Sequence, residues 1–189
     1  MAIRTITVGS GSGVDYGEGW HECLMSKAQY GEYKGKRFID IWFEGYPDNF
    51  NARVFETLNS STKEEFRIAN WFRFSNSGVQ EVLEGKNTLI TYDDDASFLN
   101  GMPINVFFYK EESDAGTFSR PWRDPAPTIM EAEHQTYTEK DVDYWKKRAE
   151  SGYKSWTQLN GSGTASQKTD SIIEAIKAGD KAAASNVPF

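Results

Sequence analysis

Lys27, Lys34, Lys36 and Arg37 fall within residues 27–37, a stretch that holds one acid, Glu32. Aromatic side chains interleave with these cations and continue along the next segments: Tyr33, Phe38, Trp42 and Phe55, with Arg53 between the last two. Single-stranded nucleic acid asks for this mixture. Phosphates pair with Lys and Arg, and base faces stack on rings at about 1–3 kcal/mol per base, with little regard to sequence. The candidate binding residues are therefore Lys27, Tyr33, Lys34, Lys36, Arg37, Phe38, Trp42, Arg53 and Phe55. The competing use of the same aromatics is packing, under a helix or against a protein partner.

Other reactive groups are sparse. His21 and Cys23 stand two apart, as two metal ligands on a strand would, but no second pair follows at usable spacing and the other histidine is the distant His134. Asp93-Asp94-Asp95 offers carboxylates to a hard cation but lacks the spacing of a calcium loop, and capping of a helical turn is its expected role. A magnesium-dependent nuclease built on these acids is the weakest of the functional readings. No nucleophile–base pair stands out, so the expectation is a non-enzyme without metal or cofactor. Gly9–Gly13 has the glycine content of a phosphate loop but not the helix that must follow one. Lys146-Lys147-Arg148 reads as a solvated helix face.

The elements expected to position the binding residues are mainly strands. Trp20–Gln29 reads as a first strand and 30–35 as a hairpin tip. Lys36–Glu44 is the clearest strand, with Ile39, Ile41 and Phe43 on one face and Phe38, Asp40 and Trp42 on the other. Asn51–Leu58 follows, with Arg53, Phe55 and Thr57 opposite Ala52 and Val54. Ser61-Thr62 before Glu64-Glu65 signals a helix over Lys63–Ser75. Thr88–Tyr92 and Ile104–Lys110 complete five strands, and 111–136 reads as loop. Thr138 with Asp141 opens an amphipathic helix; a Gly/Ser/Thr linker from 160 to 169 and a short helix over Asp170–Ala178 come after it. The fold class is thus mainly β: a five-stranded OB-like barrel with a capping helix, since strand–strand–strand–helix–strand–strand is the order of such barrels. A mixed sandwich is the rival. The organisation expected is a leader (1–19), the OB-like core (20–112), a loop and helix packed on or near it (113–159) and a flexible tail (160–189).

The chain of 189 residues is 38% hydrophobic, 26% charged and 14% aromatic, with a formal charge of −7. That charge opposes general affinity for polyanions but leaves room for a local basic strip. Its single cysteine excludes an internal disulfide and suits a reducing cytoplasm. No apolar stretch has membrane-spanning length, so a soluble, cytoplasmic protein without membrane contact is expected.

The basic hairpin, the barrel-like order, the Gly/Ser linker and the final Val187-Pro188-Phe189 together resemble single-stranded-DNA-binding proteins, especially phage-encoded ones. Gly35–Ile41 and Leu99–Val106 also look like OB-like phage replication and recombination proteins. In bacterial members the tail closes with an acidic run and Ile-Pro-Phe. Pro188 and Phe189 match the last two positions and Val187 replaces Ile. The resemblance implies sequence-independent binding of single-stranded DNA (or RNA) in phage replication or recombination, in the host cytoplasm. It also implies docking of replication proteins through Val187, Pro188 and Phe189. The acidic run is missing, since Ala182–Asn186 carries no acid, which weakens the expectation of self-inhibition and of tail docking. A protein–protein adaptor or virion component, with the aromatics at an interface, a homo- or hetero-oligomer as its state and no nucleic-acid affinity, is the alternative.

Overall fold

A computed structural model describes residues 15–83, 88–113 and 116–160. The leader up to residue 14 with its glycine run, the 160–169 linker beyond Asn160, the Asp170–Ala178 helix and the Val187-Pro188-Phe189 tip lie outside the described residues. The described order is β1 (Gly19–Tyr33), β2 (Lys36–Phe43), β3 (Asn51–Phe55), α1 (Arg67–Phe74), β4 (Val79–Leu83), β5 (Leu89–Tyr92), a 3-10 turn (Ala96–Leu99), β6 (Pro103–Ser113), β7 (Gly116–Pro121), β8 (Met130–Glu131), β9 (Thr136–Tyr137) and α2 (Glu139–Asn160).

Five strands form one antiparallel sheet in the order β3-β2-β1-β6-β7. β1 is the hinge of this sheet. Gly19–Leu24 pairs with β6, and Met25–Tyr33 pairs with β2. Ser26 is an extra residue at the changeover, because Met25 faces Phe43 while Lys27 faces Trp42. Such a bulge resets the alternation of a strand. Cys23 and Met25 before it, and Ala28 and Tyr30 after it, therefore all point to the core. The outer strands β3 and β7 come near each other, but among the described residues no ladder joins them, so the sheet is not a closed barrel.

The core lies between the inner face of the sheet and α1. Ile39, Ile41, Phe43, Val54, Ile104, Val106 and Phe108 meet Ile68, Trp71, Phe72 and Phe74 there, all nearly free of solvent. The helix is shorter than the expected Lys63–Ser75, and Ser61-Thr62 does not cap it. Glu65 does: Oε1 accepts from the backbone N–H of Arg67 and Ile68, and Oε2 from that of Ala69. A carboxylate among the free N–H groups of a first turn meets both their hydrogen-bond demand and the helix dipole.

The long loop expected over 111–136 is partly strand. β6 continues to Ser113 and turns back into β7, with Glu111 opposite Phe118. β4, which lacks an alternating apolar pattern, pairs with β5 in a separate hairpin. The third strand ends at Phe55, not Leu58. α2 begins where the sequence places it, with Thr138 N–H and Oγ1 both donating to Asp141 Oδ2. Among the described residues no helix is long and apolar enough to cross a membrane.

Candidate nucleic-acid interface

The sheet has one inner face and one outer face, and the two halves of the outer face differ. Over β6 and the start of β1 the outer face is covered by α2. Phe107, Tyr109 and Trp122 meet Tyr153 and Trp156 there, and Trp20 meets Phe107, with ring centroids 5.2–6.2 Å apart. The Trp20 indole N–H fastens the helix to the sheet through Glu150 at 2.7 Å. Burial of its hydroxyl pushes the Tyr109 phenol up to about 12.

Over β2, β3 and the second half of β1 no described helix lies on the outer face. Strand register decides which side chains share it, since directly opposed residues lie on the same side. The pairs Lys27–Trp42, Gly31–Phe38 and Tyr33–Lys36 join β1 to β2, and Asp40–Arg53 and Phe38–Phe55 join β2 to β3. Seven of the nine candidates, Lys27, Tyr33, Lys36, Phe38, Trp42, Arg53 and Phe55, thus fall on one face. Lys27 Nζ stands 4.8 Å from the Trp42 ring centre and Arg53 Cζ 4.2 Å from that of Phe38. Phe38 and Phe55 meet edge to face at 5.5 Å. The Trp42 indole N–H donates to the Asp48 carbonyl at 2.8 Å, which fixes its ring at the strand end.

The other two candidates are placed elsewhere. Arg37 points to the opposite side, over the Tyr30 ring at 3.9 Å, and its guanidinium bonds Asp94 at 2.9 Å. Alternation already carried that signal, because Arg37 has the parity of Ile39 and Ile41. Lys34 sits in a turn rather than on a face. The expected six-residue tip is a two-residue loop, Lys34-Gly35, between the paired Tyr33 and Lys36, with φ of 51° and 74°. This is the left-handed geometry that joins twisted antiparallel strands tightly. Lys34 Nζ is 5.4 Å from the Tyr33 ring, itself 51% exposed.

Two further residues, Asp40 and Gly31, belong to this face and are not among the nine candidates. Asp40 is buried yet forms a fork with Arg53: Arg53 Nε to Oδ1 at 2.8 Å and Nη2 to Oδ2 at 2.7 Å. The Asp40 carboxylate raises the Arg53 guanidinium further above its ordinary value. Gly31 lies under Phe38, where a Cβ would fall 2.5 Å from ring atom Cζ. Strand parity identifies both, since each is directly opposed to a candidate or stands between two.

The remaining reactive groups are absorbed by structure. His21 stacks on Phe108 at 4.2 Å, and Cys23 is buried with its thiol pushed up to about 12 by desolvation. Asp95 caps the 3-10 turn through the Ser97 N–H, and Asp93 accepts from the Asp95 N–H. Lys146 lies over Trp20 at 5.5 Å and Arg148 over Trp145 at 5.4 Å. Among the described residues no group of three or more His, Cys, Asp or Glu side chains is placed to hold a metal ion. The chain matches no protein-family model and no curated protein.

Proposed function

We propose that this chain binds single-stranded DNA without sequence preference, as a non-enzymatic protein of phage DNA replication or recombination. The observation that carries the reading is the open half of the outer sheet face, where Lys27, Lys36, Trp42, Phe55 and Tyr33 share one side with no described element over them. Rings offer stacking to any base, and the two lysines offer phosphate contacts on a protein whose net charge is otherwise negative. The strand order β3-β2-β1-β6-β7 with α1 after the third strand supports an OB-like topology, here in an open form. Such folds bind strands across the face where this surface lies. Arg37 leaves the proposed contact set because Asp94 and Tyr30 already engage it. Val187, Pro188 and Phe189 remain the proposed docking tip for partner proteins.

The test is anisotropy of a labelled oligo-dT 30-mer titrated with full-length protein at low salt. Binding that weakens steeply with salt and is similar for mixed sequences supports the reading. No binding at low salt overturns it, and a stable oligomer without DNA affinity would turn the same face into a protein interface.

A further inference from the structure

We propose that Arg53 acts as a base-stacking platform rather than a phosphate ligand, and that Asp40 is the positioning residue that holds it in that role. The inference rests on the reading of the outer face as a single-strand binding surface. An acid in the middle of such a face repels phosphate, so its presence needs a cause. Asp40 has a side chain only 12% exposed, and both its oxygens are taken by one guanidinium, Nε at 2.8 Å and Nη2 at 2.7 Å. A two-point fork fixes the plane of a guanidinium as well as its position.

What that plane rests on is also fixed. Arg53 Cζ lies over Phe38 at 4.2 Å, and the far edge of Phe38 lies over the Gly31 backbone. Only glycine leaves room there, since a methyl group would fall 2.5 Å from Cζ of the ring. The layers run Gly31, Phe38, Arg53, solvent. Phe38 is 9% exposed and presents almost no ring to a base, whereas the Arg53 side chain is 50% exposed. The outermost flat group is therefore the guanidinium. Its charge is matched by Asp40, which leaves little attraction for a phosphate. A planar, weakly hydrated cation of this kind stacks on bases as readily as a ring does.

The experiment uses full-length protein, a labelled oligo-dT 30-mer and an abasic phosphodiester of equal length, each over a salt series. Arg53→Lys keeps the charge and loses the plane. It is expected to weaken oligo-dT binding about ten-fold, as loss of one stacked base implies. The salt slope and the affinity for the abasic strand should stay unchanged. Asp40→Asn frees the guanidinium and is expected to steepen the salt slope by about 0.7, one added phosphate contact on a single strand. Arg53→Met, made together with Asp40→Asn so that no buried carboxylate is left unpaired, fills the space over Phe38 without charge and guards against misfolding of the lysine variant, with circular dichroism as the check. An unchanged slope in this double variant supports the proposal. A slope shallower by about 0.7, or equal weakening on both probes, makes Arg53 a phosphate ligand and overturns it. Failure of the unaltered protein to bind either strand overturns the parent reading with it.

Discussion

The two halves of the outer sheet face are built from the same residue types and put to different ends. Where α2 crosses β6, the rings of Phe107, Tyr109 and Trp122 find other rings, Tyr153 and Trp156, and are covered. Where β2 and β3 lie open, Phe38 and Trp42 lie under cations, Arg53 and Lys27, with no described helix above them. A ring covered by a ring is sealed and serves stability. A ring under an exposed cation gains about 0.5–1 kcal/mol, and the group above it is polar and faces solvent. The contrast teaches that aromatic content alone does not mark a binding face; what lies over each ring does.

The largest effect that would test the contrast is on stability. Trp122→Ala, in the covered half and 3% exposed, is expected to lower the unfolding free energy by about 3–5 kcal/mol in urea titration. DNA affinity measured under conditions where the variant remains folded should be unchanged. Trp42→Ala reverses the pattern: about 1–3 kcal/mol lost from oligo-dT binding by anisotropy, with a smaller change in unfolding midpoint. If Trp42→Ala proves the more destabilising of the two, the halves do not differ as described. Lys27→Gln and Lys36→Gln should each make the plot of log affinity against log salt shallower by about 0.7, while Arg37→Gln leaves it nearly unchanged.

The smallest effect concerns alkali. Tyr109 and Tyr92 are raised from 10.0 to about 12 and Cys23 from 9.0 to about 12, each chiefly by burial. A raised folded value means that the folded chain holds its protons longer than the unfolded one. These groups therefore favour folding fully below about pH 9, and the contribution is lost as pH rises from 9 towards 12. Urea titrations at pH 8 and 11 should show the loss, and phenolate absorbance should rise late for Tyr109 and Tyr92. A titration in which every tyrosine ionises near 10 would remove the sealed character of the covered half.

Local pattern made part of this legible. The two faces of β2, the sides of β3 and the Thr138–Asp141 box follow from alternation and capping chemistry, and they hold in the structure. The sequence reading missed what depends on distant partners. Asn105 as the anchor of Ala126 and Pro127 requires tertiary contacts, whereas Glu65 caps α1 through backbone N–H groups only two to four residues on. α2 shows an apolar stripe in sequence, but nothing local says which half of the sheet it covers. The side of Arg37 was legible by parity; its neighbours Lys34 and Lys36 drew it into the basic cluster instead. Asp40 was seen on its face, but its fork with Arg53 needs the register between strands.

The bulge at Ser26 gives β1 a phase. Ahead of it odd-numbered residues face the core, and beyond it even-numbered ones do. Substitutions between Gly19 and Tyr33 act one side chain at a time, but loss or gain of one residue there would exchange inside and outside for half the strand at once. Homologous chains are therefore expected to vary in identity along this strand more freely than in its length.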